Sequence, residues 1–302
     1  VTRFNVIDVP GDFEIVNCLP EIGGEGAYVK VGGSLALRGT SARKYGLWTA
    51  DSNVPVSIGG DLVVKGSMLR IENGGDLTVG GDVFQQDGTT AQGSGEVYVG
   101  AAPTNGLDGA VCGARVTVFG DWKVGAYGMV TSACDPTNGA VVAMTAKSFT
   151  LSETGVLSAN GTGWGAGKGP GRSSGLTGAS YAGKGCNYYG GWSGTLYGNR
   201  RRPLQPGSGS SGKRGGGLVW LETSRRMDLN GKVTARGADW ANYIGAGSGG
   251  GVFLRCGSCL SGTNGTISAN GGNGGGLGGA GDRRLWGAVP AARASLPNHH
   301  SS

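Results

Sequence analysis

Gly59-Gly60-Asp61-Leu62-Val63-Val64, Gly74-Gly75-Asp76-Leu77-Thr78-Val79 and Gly80-Gly81-Asp82-Val83-Phe84 decide the fold class of this chain. Each phrase is a glycine turn followed by a short run of alternating apolar residues, the pattern of a half-buried strand. Gly32-Gly33-Ser34-Leu35-Ala36-Leu37 is a further copy, and Phe119-Gly120-Asp121-Trp122-Lys123-Val124 a degenerate one. Strands this short form no stable isolated hairpin, but stacked on one another they share a continuous core. The two longest glycine-free runs, 140–154 and 288–302, barely exceed a mean helix of about 11–12 residues. Helical folds are therefore excluded.

Glycine supplies 66 of 302 residues, without a Gly-X-Y period and with only 10 prolines, which excludes collagen. Disorder is opposed by the 38% of hydrophobic residues, which cluster as in Leu218-Val219-Trp220-Leu221.

The second half repeats a different phrase. Gly155-Val-Leu-Ser-Ala-Asn-Gly161, Gly231-Lys-Val-Thr-Ala-Arg-Gly237 and Gly265-Thr-Ile-Ser-Ala-Asn-Gly271 align without gaps. The residues after Asn160 and Asn270 are glycine-rich and do not form a second alternating strand, so these are corners and not hairpins. Parallel stacking would set the asparagines above one another in an amide ladder, interrupted at Arg236. Between the first two copies lies 164–217, which reads as a loop thrown out of the stack.

The net charge of +6 is concentrated in that loop. It holds Lys168, Arg172, Lys184, Arg200, Arg201, Arg202, Lys213 and Arg214 and no acidic residue, which leaves the rest of the chain at −2. A charge confined to one segment does not point to a nucleic-acid-binding fold. The same segment carries Trp164, Tyr181, Tyr188, Tyr189, Trp192 and Tyr197. Aromatics beside Arg200, Arg201 and Arg202 are residue types of interaction surfaces, suited to an extracellular polysaccharide or another subunit. The alternative is a loop folded back, its aromatics covering the core.

Six scattered cysteines, Cys18, Cys112, Cys134, Cys186, Cys256 and Cys259, suit disulfides of a secreted protein better than a metal site. Cys112 with Cys134 is the preferred pair, among fifteen possible pairings. Asn160 and Asn264 head Asn-Gly-Thr sequons and are glycosylation candidates. A start at Val1 without a signal peptide is expected of a processed chain or a fragment. No apolar run reaches the eighteen residues of a membrane span.

Residues 147–281 resemble the glycine-rich repeats of large secreted and cell-surface proteins of protists, algae and bacteria. The resemblance rests on Gly215-Gly-Gly-Leu-Val-Trp-Leu, Gly249-Gly-Gly-Val-Phe-Leu and Gly274-Gly-Gly-Leu-Gly-Gly around the second repeat phrase. It implies a right-handed parallel β-helix, a β-solenoid, with surface, filament or adhesive roles.

Chemistry has little to work with. Both histidines, His299 and His300, lie in the final tail, so no core residue serves histidine-based acid–base catalysis. A polysaccharide lyase or glycosidase would need paired carboxylates, for which Asp228 and Asp239, with Arg225 and Arg226, are the candidates. The expectation is thus an all-β, right-handed parallel β-helix over 1–281, with 164–217 as a loop insertion and 282–302 as a tail or cap. No catalytic residue, cofactor or metal is expected. The expected role is a subunit of an extracellular filament or surface layer, a homo-oligomer joined through its ends and the aromatic loop. An adhesin or carbohydrate-binding module is the alternative, and a polysaccharide-cleaving enzyme comes third.

Overall fold

The computed structural model describes residues 3–40, 44–88, 90, 94–103, 112–186, 194–199, 201–239 and 245–273. The described residues form strands and turns and contain no helix. The chain visits three ladders in rotation. β1 (Arg3–Phe4), β2 (Val6–Val9) and β3 (Phe13–Val16) begin them. β4 (Glu21–Ile22), β5 (Tyr28–Val31), β6 (Leu35–Arg38), β7 (Gly46–Thr49), β8 (Val56–Ile58), β9 (Leu62–Lys65), β10 (Met68–Ile71), β11 (Leu77–Val79) and β12 (Val83–Gln85) extend them in the same order. β13 (Glu96–Gly100) joins the first ladder, and the long β14 (Cys112–Val124) serves the second and third together. β15 (Met129–Ala133) and β16 (Val141–Leu151) repeat that pair. Single visits resume with β17 (Val156–Ser158), β18 (Leu218–Thr223), β19 (Met227–Leu229), β20 (Lys232–Thr234), β21 (Gly251–Cys256), β22 (Leu260–Ser261) and β23 (Thr266–Ser268).

Strand pairing among the described residues is parallel, as for β10 with β13, β14 with β16 and β18 with β21. The first ladder is a nine-stranded sheet, β1-β4-β7-β10-β13-β15-β17-β20-β23. The second and third ladders fuse through β14 into a fourteen-stranded sheet. This corrects the expected right-handed β-solenoid. The strands form two stacked parallel sheets, the larger doubling back on itself into a nearly closed, barrel-like wall. The local reason is Phe119-Gly120-Asp121, whose sequence predicts a corner. It runs inside β14 as a register shift between Val118 and Asp121, so one strand carries both ladders.

The core follows from the alternation. Leu35, Leu62, Val83, Trp122, Phe149 and Met227 stack in one column, all buried. The Trp122 and Phe149 rings meet edge to face at 5.7 Å, a geometry the ring quadrupoles favour.

The repeat phrase has a structural cause. Asp12 Oδ1 accepts from Ser34 N at 2.7 Å, Ser34 Oγ from Asp61 N at 3.1 Å, Asp61 Oδ1 from Asp82 N at 2.8 Å, and Asp82 Oδ1 from Asp121 N at 2.7 Å. Each turn's polar side chain thus caps the backbone of the next level. The glycine before each cap is required by the same device. A Cβ on Gly33, Gly60, Gly81 or Gly120 would come under 3.0 Å from Asp12, Ser34, Asp61 or Asp82 oxygen, respectively.

The segment 164–217 is not a loop thrown outward. Its described glycines pack backbone on backbone: Gly163 N donates to Gly215 O at 2.8 Å, Gly207 N to Gly216 O at 2.7 Å, and Gly216 N to Ser248 O at 2.8 Å. Ser173, Thr177, Ser180, Ser208 and Ser210 are buried within it. No side chain fits between such strands of backbone, which is why glycine is dense here.

Candidate functional site

The two ends of the stack are the places where the pattern stops unfinished. At one end, β1, β2 and β3 have partners on one side only among the described residues. At the other, the same holds for β21, β22 and β23. Unpaired N–H and C=O groups along a strand edge template pairing with another chain.

The first end is also apolar. Phe4, Val6 and Val16 are 46%, 40% and 51% exposed, Phe4 in the inward column next to the buried Ile22. A cleft of about 830 Å³ opens there, lined chiefly by Ile7, Val9, Phe13, Ile15, Leu19 and Pro20. Ile7 and Phe13 pack against the core from below but have no level above them. At the other end Cys256, Leu260, Ile267 and Ala269 stand in the same half-covered state. Among the described residues both ends thus present inward-facing apolar side chains beside unpaired backbone.

The residues singled out from sequence are distributed differently. Tyr181 is buried and its ring meets Tyr197 edge to face at 4.8 Å. Their hydroxyls donate to backbone carbonyls, Tyr181 to Gln205 O at 2.9 Å and Tyr197 to Pro206 O at 2.6 Å. Burial raises both phenols above their ordinary range. The half-buried Trp164 packs over Gly139, whose φ of 75° suits glycine. Arg201 and Arg202 are exposed, and their backbone N–H groups donate to Asn199 Oδ1 at 2.8 and 3.1 Å. The described tyrosines therefore face the glycine layer, and these arginines face solvent. Tyr188, Tyr189, Trp192 and Arg200 lie outside the described residues.

None of the six cysteines is in a disulfide. Cys112 Sγ donates to Ala114 O at 3.1 Å, and buried Cys134 Sγ accepts from Leu218 N at 3.3 Å. Burial pushes the Cys134 thiol from 9.0 up to about 12. Cys256 is partly buried at one end of the stack, and Cys18, Cys186 and Cys259 are exposed. Asn160 Oδ1 accepts from Arg236 N at 2.7 Å and from Thr234 Oγ1 at 2.8 Å, so it bonds the next level through backbone and hydroxyl instead of an amide ladder. Asn264 is exposed, with Nδ2 3.2 Å from Glu153 Oε1. Asp228 and Asp239 are each held by an arginine, Arg226 and Arg236, both at 2.7 Å. Asp228 lies on β19 of the larger sheet, and Asp239 lies beyond β20, outside the strands.

Nothing in the sequence assigns a role to Phe4, Ile7, Asp8, Val9 or Phe13. Their strands are legible as alternation, but no feature of one strand says that its neighbour is missing.

No helix in the described residues is long and apolar enough to cross a membrane. Comparison with family models, with curated proteins and with solved structures returns no match.

Proposed function

We propose that this chain is a structural subunit, secreted or held at a cell surface, whose copies stack end to end into a filament. The observation that carries the reading is the pair of ends of the described stack: among the described residues their parallel edges are unpaired, and each is backed by inward apolar residues. Joining the second end of one copy to the first end of another satisfies both, with every strand still parallel. The contact surfaces differ, so the joint is heterologous and propagates without closing. The engagement of Asp12, Asp61, Asp82 and Asp228 in backbone caps and an ion pair favours a scaffold role for these carboxylates over a catalytic one.

Sedimentation velocity with negative-stain microscopy tests this over a range of concentrations. The unsubstituted chain is expected to form elongated species that grow with concentration. Ile7→Lys, which sets a charge in the apolar cleft, is expected to hold the protein at one copy. Single copies of the unsubstituted chain at all concentrations would overturn the proposal.

A further inference from the structure

The two ends do not match flush, and the mismatch says how they join. Among the described residues the first ladder contains nine strands. The second runs β2-β5-β8-β11-β14-β16-β18-β21, and the third β3-β6-β9-β12-β14-β16-β19-β22, eight strands each. In an open-ended stack every copy must add the same number of levels to each ladder. One strand of the first ladder is therefore surplus at the joint.

β1 is the surplus strand by its own geometry. It has two residues, both exposed; it pairs with Glu21 and Ile22, and Phe4 O accepts one further bond from Gly23 N at 3.0 Å. On its other side the same stretch is covered further: Gly46 N donates to Cys18 O at 2.8 Å and Trp48 N to Pro20 O at 3.2 Å. β1 leaves Leu19 and Pro20 open as cleft wall.

Resting on the stacking reading above, we infer that the joint forms by strand replacement: β23 of one copy displaces β1 of the next and pairs with β4. The register is fixed by following the first ladder from Ser268 through Thr234, Ser158, Thr131, Tyr98, Arg70 and Trp48 to Glu21. Ser268 then lies opposite Glu21, and Ile267 falls over the uncovered Pro20. β21 lands on β2 and β22 on β3, which brings Leu254 to Ile7 and Leu260 to Phe13.

Charge supports the same register. The outward column of the second ladder reads Glu222, Arg255 at one end and Asp8, Lys30 at the other. Arg255 Nη1 lies 3.4 Å from Glu222 Oε2 with its side chain 72% exposed. The joint places Arg255 beside Asp8, so the four charges alternate. Opposite charges facing across paired strands stabilise, and like charges do the reverse.

The experiment measures the concentration at which the full chain assembles, by sedimentation. Arg3→Ala removes the contacts of Arg3 with Glu21 and Asp51 and loosens β1 without setting a charge in the cleft. Assembly is expected at about three- to tenfold lower concentration, the scale of losing one or two exposed ion pairs. Asp8→Arg is expected to raise the concentration, and adding Arg255→Asp to restore it. An unchanged or higher concentration for the β1 variant overturns strand replacement while end-to-end stacking stands. Failure of the charge reversal to rescue overturns the register. An unsubstituted chain that never assembles removes the reading on which both rest.

Discussion

Glycine does two different jobs in two regions of this protein. In the strand-built body one set of glycines stands before a polar side chain, as Gly81 before Asp82, and makes room chiefly for the Asp61 carboxylate reaching up from the level below, while the glycine ahead of it, as Gly80, lies against the Gly59 carbonyl. In the layer formed by 163–185, 206–217 and 245–250 glycine makes room for backbone itself. Gly215 lies against Gly207 carbonyl, Gly250 against Gly217 carbonyl and Gly185 against Gly178 carbonyl. The first kind of crowding involves the end of a side chain, which can turn away or be deleted. The second involves peptide groups held by their own hydrogen bonds. Glycines that look alike in the sequence thus differ in tolerance.

Gly215→Ala is the strongest way to expose that difference. Its new Cβ would collide with the carbonyl oxygen and carbon of Gly207, and no neighbouring side chain can be trimmed to relieve it. A loss of at least about 3 kcal/mol is expected, the upper range for overpacking, read by denaturant unfolding. A loss below about 1 kcal/mol, the lower end of that range, would remove the distinction between the regions.

Gly81→Ala is the smaller effect. A cost of about 1–3 kcal/mol is expected, because the collision includes Asp61 Oδ1. Asp61→Ala in the same chain should recover part of it, although that change also removes the cap on Asp82 N. Coupling between neighbours of this kind runs from about 0.5 to 3 kcal/mol. Simple additivity in the double variant would show that the carboxylate does not set the need for glycine.

The same contrast explains what was legible in the sequence. The strands of the body were visible because their alternation is local: Leu62, Val64, Leu77 and Val79 are inward as the pattern requires. The second repeat phrase was also sound, since Leu157, Val233 and Ile267 occupy one register. The closure of the larger sheet was not legible, because Phe119-Gly120-Asp121 carries the signature of a corner and becomes part of a strand only when both neighbouring levels hold it. The inward tyrosines were legible only as the alternative of a loop folded back, for a related reason. The carbonyls of Gln205 and Pro206 that satisfy Tyr181 and Tyr197 are supplied by backbone folded over them, and a glycine-rich sequence gives no periodicity that places it. The end cleft was hidden most completely. Phe13-Glu14-Ile15 reads like any inner strand, and only the end of the stack leaves it uncovered.

The central claim, that copies stack end to end with their ladders in step, has a direct measure in the axial repeat of the assembled material. Parallel strands lie about 4.8 Å apart, so the eight levels of the described residues predict a repeat of about 38 Å along the filament, read by electron microscopy or fibre diffraction beside the strand spacing itself. A repeat of about 43 Å, the length of nine levels at that spacing, would mean that β1 is retained. Assemblies with the strands lying across one another, and no spacing of about 4.8 Å along the axis, would contradict end-to-end stacking altogether.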